Sequence, residues 1–434
     1  MGERSFSEIV LGADARQSRS RRLYRVGEVT SVCGDLATVR VDADDAGDEV
    51  CLRDLQVLGP WAVQVGDWVE LGYLDDHPNS AYVRSPLFSE TRDPALGFKA
   101  RLTVGDWDAV VDVNGGGDFT SIQSALDAGC KTILVRKGTY SQSAANLVVA
   151  QPDVRIVGES QAESVIDFGG TGYYLWAQSA ALRFGLRNIK VQNSQQSTYA
   201  AVRIDAQSVE IFNCRLDSNA RHLYVTAGAD YAFVHECVFA EGQPLYSYAD
   251  FARFVANRIY NTSLQDMVVS ASQSAVLDNT ARYVRCYIGG VGCAVSNNAI
   301  ELGQVYLSGA SYARVVGNHI KGVTGPAIPL NGQRCVIEGN TIYDPPGHGI
   351  DVWGGDHNVV KGNVIYSAGG VGIVTTRNRA VIAGNQVLDG ANWGISIAAG
   401  ATNNVVAHNV VIGNAGGQIQ DLGTGTVLDS NITA

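Results

Sequence analysis

The chain has 434 residues and a formal net charge of −11 at pH 7. This length exceeds that of a usual single domain, so we expect two or more folded units. The acidic balance argues against a nucleic-acid-binding protein, because binding to phosphates requires a basic face. No apolar run reaches the roughly 18 residues of a membrane-spanning helix, so we expect no membrane insertion.

Residues 1–22 are polar apart from Ile9-Val10-Leu11, and they contain several arginines. We interpret them as an N-terminal segment that attaches the protein to a partner. The first residues, Met1-Gly2-Glu3-Arg4, lack the apolar stretch of a secretory signal peptide. We therefore expect synthesis in a cytoplasm, without export by the standard secretory route.

Residues 23–88 alternate apolar and polar side chains in short runs, at 27–32, 36–41, 50–52 and 68–71. Turn residues such as Gly34-Asp35 and Gly66-Asp67 separate these runs. About five short strands in so small a block predict an OB-like β-barrel. The Gly-x-Val and Val-Gly-Asp-x-Val patterns resemble the small barrels that precede the distal parts of bacteriophage tail proteins. No basic groove or row of paired aromatics accompanies them, so nucleic acid is not an expected ligand.

Residues 89–109 contain Pro94 and Gly97 and are typical of a linker. The motif Gly117-Asp118-Phe119-Thr120-Ser121 follows, and apolar residues then stand at positions 122, 125 and 126. This spacing predicts a short helix with one apolar face, which Thr120 or Ser121 is placed to cap. A strand at 132–136 and the sequence Gly138-Thr139-Tyr140 come next.

Nine asparagines recur at nearly one spacing, 19 to 24 residues apart. They are Asn257, Asn279, Asn298, Asn318, Asn340, Asn363, Asn385, Asn409 and Asn431. Around each lies nearly the same apolar frame, as in Ile337-Asn340-Ile342. A period near 22 residues is too short for a paired-helix repeat and fits one coil of a parallel β-solenoid. Identical amides stacked at a turn can hydrogen-bond from coil to coil.

The repeat extends towards the N-terminus, where Cys237, Cys214 and Ile189 take the asparagine position. This predicts about twelve or more coils up to residue 434. The strands alternate, so that Asp351 and Trp353 point outward while the aliphatic residues beside them point inward. Each coil buries its inward side chains only against its neighbours, so the coils are stable collectively.

The Gly-Asp-Phe-Thr motif, Gly138-Thr139-Tyr140 and the repeats together resemble the pectate lyase and pectin esterase superfamily of right-handed parallel β-helices. The resemblance covers residues 110–434 and implies that the short helix caps the first coil. The expected fold is therefore all-β, a right-handed parallel β-helix preceded by the OB-like barrel. The resemblance does not specify the chemistry, because this fold hosts lyases, hydrolases, esterases, epimerases and inert fibres.

Neither a metal nor a cofactor is expected. The eight cysteines show no zinc spacing, and the acidic residues show no calcium-loop spacing. The sequence also contains no phosphate-binding loop or redox motif. We interpret Cys214 and Cys237, which lie at inward positions, as small buried apolar side chains.

The outward positions should carry any functional site. Alignment of the strands by the repeat predicts one face rich in aromatic and acidic side chains; these are Arg203, Asp205, His222, Tyr224, Tyr246, Tyr248, Asp266, Tyr306, Asp351 and Trp353. Aromatic rings suit stacking on sugars, and carboxylates suit binding of hydroxyls or proton transfer. We predict substrate binding by Trp353, Tyr306, Asp266, Tyr246, Tyr224 and His222. The alternative is a solvated sheet with scattered tyrosines.

The densest group of reactive side chains lies between Tyr343 and His357. In one interpretation, Asp351 acts with Asp344 or His348 as acid and base on a glycosidic bond or a uronate C5. The tripeptide Gly347-His348-Gly349 resembles polygalacturonases, but their Asn-Thr-Asp and Asp-Asp motifs are missing from the preceding coils. In the structural interpretation, the prolines and glycines here shape a longer turn and the polar residues are solvated.

These features favour a virion protein that resembles a bacteriophage tailspike or tail fibre, made in the host cytoplasm. Residues 1–88 would attach it to other tail or baseplate proteins, and the solenoid would bind host surface polysaccharide. Such spikes are usually homotrimers, whose side-by-side solenoids form grooves between chains. Whether the glycan is also cleaved, by a hydrolase or a lyase reaction, stays open. Two alternatives remain: a free polysaccharide lyase or C5-epimerase, and a structural tail component without a glycan site.

Overall fold

The computed structural model describes five strands between residues 25 and 88, as backbone, and residues 107–434 except for 195–199, 218–220 and 323–324. The chain divides into two compact units, Met1–Asp106 and Trp107–Ala434. The predicted attachment segment at 1–22 lies outside the described residues, as does most of the predicted linker at 89–109. Both therefore stay predictions.

In the first unit the structure describes five strands, which are β1 (Arg25–Cys33), β2 (Leu36–Val41), β3 (Val50–Val57), β4 (Trp68–Tyr73) and β5 (Ala81–Phe88). They pair in the order β1-β2-β3-β5-β4, and β4 pairs back onto β1, which closes a barrel. Strands β3 and β5 run parallel, and the other pairs are antiparallel. The assignment of this barrel to the OB type stays a prediction.

The second unit is a parallel β-solenoid of about 14 turns, in which successive strands of a coil lie on three faces. Face 1 is a sheet of 15 strands. They are β6 (Ala109–Val111), β7 (Thr132–Val135), β10 (Arg155–Gly158), β13 (Gly185–Arg187), β16 (Glu210–Phe212), β19 (Phe233–His235), β22 (Arg253–Val255), β24 (Ala275–Leu277), β26 (Ala294–Ser296), β29 (Arg314–Val316), β32 (Val336–Glu338), β35 (Val359–Lys361), β38 (Val381–Ala383), β41 (Val405–Ala407) and β44 (Val427–Asp429).

Faces 2 and 3 are two columns of one larger sheet of 25 strands. Face 2 consists of β8 (Gly138–Ser141), β11 (Ser164–Thr171), β14 (Lys190–Ser194), β17 (Arg215–Asp217), β20 (Val238–Ala240), β23 (Arg258–Val269), β25 (Thr280–Ile288), β27 (Ala299–Glu301), β30 (His319–Lys321), β33 (Thr341–Tyr343), β36 (Val364–Tyr366), β39 (Gln386–Leu388), β42 (Val410–Ile412) and β45 (Ile432–Thr433). Strands β23 and β25 continue from face 2 onto face 3.

Face 3 carries the remaining strands. They are β9 (Leu147–Val149), β12 (Leu175–Ala177), β15 (Val202–Ile204), β18 (Arg221–Val225), β21 (Gln243–Ser247), β28 (Gln304–Ser311), β31 (Ile328–Gln333), β34 (Ile350–Gly354), β37 (Ile373–Thr375), β40 (Trp393–Ile397) and β43 (Gly417–Asp421). The predicted parallel β-helix is therefore confirmed.

One short helix, α1 (Ile122–Asp127), covers the first coils as predicted. Its N-cap is Ser121, whose hydroxyl accepts a hydrogen bond from the backbone N–H of Ser124 at 3.1 Å. Ile122, Ala125 and Leu126 form the buried face of the helix. The helix thus shields apolar side chains that have no preceding coil to pack against.

The asparagine ladder follows the turn between faces 1 and 2, and it confirms the prediction of coil-to-coil hydrogen bonding. The amide of Asn340 shows the pattern: its Nδ2 donates to Asn363 Oδ1 and to the carbonyl of Val315, each at 2.9 Å. Its Oδ1 accepts from both the backbone N–H and the Nδ2 of Asn318, each at 2.9 Å. Cys237 joins the ladder through its backbone N–H, which donates to Asn257 Oδ1 at 2.9 Å. Because Asn340 is fully buried, these bonds satisfy an amide that water cannot reach.

The residue before each ladder asparagine has a left-handed backbone. Gly339 takes this position with a φ of 63°, whereas Ala256 takes it with a φ of 54°. Glycine adopts this conformation without steric cost, but a Cβ atom crowds the following carbonyl. We expect Ala256→Gly to stabilise the fold by about 0.5–1 kcal/mol and Gly339→Ala to destabilise it by a similar amount. Urea unfolding measures both; equal shifts of the same sign would contradict the backbone explanation.

Candidate functional site

A column of large side chains runs along the outward side of face 3. Strand pairing aligns these residues in register, one per coil; they are Trp176, Arg203, Tyr224, Tyr246, Val268, Tyr287 and Tyr306. The residues on either side point inward, as Leu223 and Val225 do around Tyr224. We call these seven residues the aromatic column. Since parallel strands are about 4.8 Å apart, the column presents one side chain at each such step along the solenoid axis.

The rings of this aromatic column are held by neighbouring side chains. The guanidinium of Arg203 lies 5.2 Å from the ring centroid of Trp176, and both residues hydrogen-bond to Asp205. Further along, Arg221 lies over the ring of Tyr246 at 4.3 Å. Such cation–π contacts restrain the rings while leaving them partly exposed. The result is a row of positioned aromatic surfaces with polar edges, which suits the alternating apolar and hydroxyl faces of sugars.

Three of the predicted substrate-binding residues, Tyr224, Tyr246 and Tyr306, lie in the aromatic column. Asp266 also points outward on face 3, but Arg285 on the next coil neutralises it through two hydrogen bonds of 2.7 and 2.9 Å. The hydrogen bond to Asp266 raises the pKa of the Arg285 guanidinium further above its ordinary value. Asp266 is therefore part of an ion pair that borders the column.

The outward placement predicted for His222 is wrong. The side chain is fully buried, and its Nε2 lies 3.0 Å from the carbonyl oxygen of Ala240. Strand pairing aligns Tyr224 with Tyr246 on the outside and Leu223 with Leu245 on the inside. Two consecutive residues of β18, His222 and Leu223, are buried, so strict alternation fails there. Substrate cannot contact His222 without a rearrangement of this strand.

Two aromatic residues of the column, Trp176 and Tyr287, were missed in the sequence. Tyr287 lies 19 residues before Tyr306, which matches the short interval between Asn279 and Asn298 rather than the usual period. Aligning the strands by the spacing of these asparagines would have placed Tyr287 next to Tyr306. The interval from Trp176 to Arg203 is longer than any in the asparagine series, so the repeat offers no comparable signal for Trp176.

The outward column continues from Tyr306 towards Asp351. Leu307 pairs with Leu330, which places Pro329 beside Tyr306, and Pro329 in turn pairs with Asp351. Asp351 therefore lies two coils beyond the last tyrosine of the aromatic column. The register shifts between Leu330 and Asn331, so that Trp353 forms a β-bulge in β34. A bulge re-aims the side chain that it carries, and Trp353 is 36% exposed next to Asp351.

The side chain of Asp351 is half-buried, and its carboxyl group makes no hydrogen bond to any of the described residues. Burial raises the pKa of its carboxyl group above the ordinary value, and the electrostatic interaction with nearby His348 opposes this rise. A carboxyl group without a partner and with a raised pKa is suited to proton transfer, because it can hold a proton closer to neutral pH.

A backbone hydrogen bond restricts what His348 can do. Its Nδ1 accepts from the backbone N–H of Val371 at 2.9 Å, so in this arrangement the proton of the neutral ring is on Nε2. The surrounding turns pack tightly: a Cβ atom added at Gly370 would lie 2.7 Å from His348 Nδ1, and one at Gly347 would lie 2.7 Å from the carbonyl carbon of Gly325. The glycines of this region therefore allow the neighbouring turns to pack closely around His348.

Asp344 is separated from Asp351 by a turn and has a structural role. It is exposed, its backbone is left-handed with a φ of 50°, and its N–H donates to the carbonyl of Tyr366 on the next coil at 3.1 Å. Ser367 makes the same turn one coil later, again with a φ of 50°. No hydrogen bond joins Asp344 to Asp351 or His348 in the part of the chain that the structure describes. A catalytic role for Asp344 stays a prediction.

Two further features concern metals and membranes. Within residues 107–434, leaving out the three undescribed segments, no three His, Cys, Asp or Glu side chains come together as metal ligands could. The same residues include no helix with the length and apolarity to cross a membrane.

Comparison with known proteins identifies the type of fold. A family model described as right handed beta helix region matches residues 289–434. This match agrees with the strand pairing, which forms a parallel β-helix. Probable pectinesterase 49 from Arabidopsis thaliana is 24% identical over 226 residues, which cover 46% of this chain and 59% of that protein. The chain thus spans less than two thirds of this relative.

Similar solved structures come from proteins of different function. The tailspike protein 3 of bacteriophage CBA120 is 13% identical, with a TM-score of 0.44 over 72% of this chain and 56% of the other. The catalytic domain of an α-1,3-glucanase is 12% identical, with a TM-score of 0.46 over 95% and 84%. The A-module of a mannuronan C-5 epimerase from Azotobacter vinelandii is 14% identical, with a TM-score of 0.41 over 72% and 94%.

Proposed function

We propose that the protein binds an extended polysaccharide along face 3, with the glycan parallel to the solenoid axis. The observation that carries this proposal is the aromatic column, in which strand pairing places Tyr224 beside Tyr246 and Tyr287 beside Tyr306 on successive coils. Pairs of rings about 4.8 Å apart that recur along the solenoid axis suit a ligand that is itself a linear repeat. A protein that bound a compact small molecule would need a pocket rather than an open row of rings.

We further propose that the bound glycan is processed at Asp351. The carboxyl group lies two coils beyond the aromatic column, lacks a hydrogen-bond partner among the described residues and has a raised pKa, and His348 lies near enough to influence it. These properties fit a group that transfers a proton to or from a sugar. Hydrolysis, β-elimination and C5 epimerisation all need such a group. Fragment mass distinguishes hydrolysis, which adds water, from β-elimination, which does not, whereas C5 epimerisation leaves the mass unchanged and is followed by NMR.

For the whole chain we propose a tailspike or tail-fibre role in a virion. Residues 1–88 would attach the protein to other tail or baseplate proteins, and the solenoid would contact polysaccharide on the host surface as part of a homotrimer. The barrel patterns in the sequence and the glycan-compatible face 3 support this role. Antibody labelling of virus particles and the mass of the protein in solution test it. A free monomeric protein that is absent from particles would favour the lyase or epimerase alternative.

Alanine substitution in the aromatic column tests glycan binding. We expect Tyr224→Ala with Tyr246→Ala to weaken binding by about tenfold or more, since each lost ring removes a stacking surface. Binding is measured by biolayer interferometry against capsular and lipopolysaccharide fractions from candidate hosts. Tyr343→Ala with Tyr366→Ala is the matched control, because these two rings stack at 5.0 Å on face 2 instead. Equal losses in both double variants would contradict binding on face 3, and no binding by the unmodified protein would favour a structural tail component.

A further inference from the structure

A row of exposed side chains follows the turn between faces 3 and 1, next to Trp353. The row consists of Tyr312, Arg334, His357 and Arg379, one from each of four successive coils. All four have left-handed backbones, with φ between 54° and 63°, and each donates its N–H to a carbonyl of the next coil. Bulky side chains rarely adopt this conformation, so the turn places them where a glycine or asparagine would be less strained.

Three arginines lie at this edge, Arg334, Arg377 and Arg379, and they lack carboxylate partners among the described residues. Arg334 contacts the hydroxyl and ring of Tyr312, and Arg379 Nη1 lies 3.3 Å from His357 Nε2. Arg377 precedes Arg379 on the same turn, and its Nε donates to the carbonyl of Trp353 at 2.5 Å. Elsewhere in the described solenoid, eight arginines form ion pairs with acidic side chains: Arg136, Arg183, Arg187, Arg203, Arg215, Arg282, Arg285 and Arg314.

The local charge is therefore opposite to that of the protein. Asp356 is the acidic group next to this turn, and it is engaged with Asn378, whose N–H and Nδ2 donate to it at 3.1 and 3.4 Å. Three guanidinium groups against one carboxylate leave two positive charges uncompensated, in a chain whose net charge is −11. The arginines span two coil steps, about 10 Å, so they repel one another at a distance where salt screening is incomplete.

The contacts of these arginines also leave donors available. Arg377 uses Nε to bind the Trp353 carbonyl, which leaves its two terminal nitrogens exposed beside the coil that carries Asp351. Planar guanidinium groups with free N–H donors bind carboxylate, sulfate and phosphate groups in a bidentate manner. An anion bound here would both satisfy the donors and relieve the mutual repulsion.

We propose that Arg334, Arg377 and Arg379 form an anion-binding subsite that makes the protein select acidic polysaccharides over neutral ones. This inference rests on the proposed glycan binding along face 3, and it names the substrate class. A glycan that follows the column past Tyr306 and Asp351 would bring its carboxylate, sulfate or phosphate substituents past Arg334 to Arg377 and Arg379. The repeat of the arginines along the axis suits charges that recur along a polymer.

The test compares charged and neutral forms of the same polymers. The probes are polygalacturonate with its carboxyl-reduced form, and dextran sulfate with dextran, measured by affinity electrophoresis at low and high salt. The variant is Arg334→Gln with Arg377→Gln and Arg379→Gln. The matched control, Arg215→Gln with Arg282→Gln and Arg314→Gln, removes the same charge from arginines of other faces that are already ion-paired. The two acidic probes distinguish carboxylate from sulfate recognition.

We expect the unmodified protein to retain at least one acidic polymer about tenfold more strongly than its neutral form, and the preference to disappear in the variant but not in the control. Equal retention of both forms would overturn the subsite while leaving the proposed glycan binding intact, as would an acidic preference that the variant keeps. If no polymer binds, and the host glycan fractions do not bind either, the proposed function itself fails.

Discussion

Replacing Asn340 by alanine should destabilise the solenoid by about 3–5 kcal/mol, the largest stability effect that we expect from a single substitution. The backbone N–H and the Nδ2 of Asn318 would both lose their acceptor, and Asn363 Oδ1 and the carbonyl of Val315 would each lose a donor. All of these groups lie in the interior, where water cannot replace the lost partners. Urea unfolding followed by circular dichroism measures the change, and hydrogen exchange of the coils on either side locates it.

Asn431→Ala is the matched control, because Asn431 is the last amide of the ladder. It accepts from Asn409 and donates to the carbonyl of Val406, but no further asparagine accepts from it in turn, and it is only partly buried. We expect its loss to cost clearly less than the loss of Asn340. Equal costs at the two positions would show that the stacking of amides in the interior is not what stabilises the coils.

Changing Asp351 to asparagine should reduce glycan processing by about 10²–10⁴-fold, the usual contribution of a positioned acid or base. Binding should change little, because the rings of the aromatic column remain. The assay incubates the protein with each polysaccharide that it binds and scores the fragments by mass. Fragments that carry an added water would indicate a hydrolase, and unsaturated fragments would indicate a lyase. If the unmodified protein produces neither fragments nor epimerised product, it is a binding protein without this chemistry.

Asp351→Asn should reduce glycan processing but increase stability at neutral pH. Because the pKa of Asp351 is raised in the folded state, the stability contributed by its protonated form is fully present below the unfolded-state pKa and is lost as the pH rises through the folded-state pKa. At neutral pH the ionised carboxylate therefore opposes folding, and Asp351→Asn should raise the unfolding midpoint there but not in acid. A lower midpoint at neutral pH would mean that Asp351 is a structural residue.

The substitution Asp344→Asn distinguishes the role of Asp344 from that of Asp351 in the same glycan-processing assay. Asparagine tolerates the left-handed backbone at this position, so the turn should keep its shape. Unchanged processing would confine the chemistry to Asp351 and His348. A loss comparable with that of Asp351→Asn would restore Asp344 to the site.

Much of the architecture could be predicted from local pattern. The spacing of Asn340 and its equivalents, the alternation around Asp351, and the cap at Ser121 each involve only a few neighbouring residues, and the structure confirms all three. A solenoid suits such prediction because every coil repeats the same local solution and contacts only its neighbours. The OB type of the barrel lacks a comparable repeat and stays a prediction.

The site was predicted less completely, because its composition depends on register between coils of unequal length. Tyr224 and Tyr246 follow the usual period and were found, whereas Tyr287 follows the short interval and was not. His222 was assigned outward by alternation, but two consecutive residues of β18 are buried. The ion pair of Asp266 with Arg285 likewise depends on which residues of two coils stand side by side.

The sequence by itself determined the parallel β-helix, its coil period and the inward apolar strands, because these follow from patterns that each coil carries within itself. Only the tertiary structure decided which side chains form the aromatic column, that the Asp351 carboxyl group has no hydrogen-bond partner among the described residues, and that Arg334, Arg377 and Arg379 lie along one edge without forming ion pairs. Those properties arise between coils. A change of one or two residues in the length of a coil shifts which side chains become neighbours, and a shift of one residue within a strand reverses the face on which they lie.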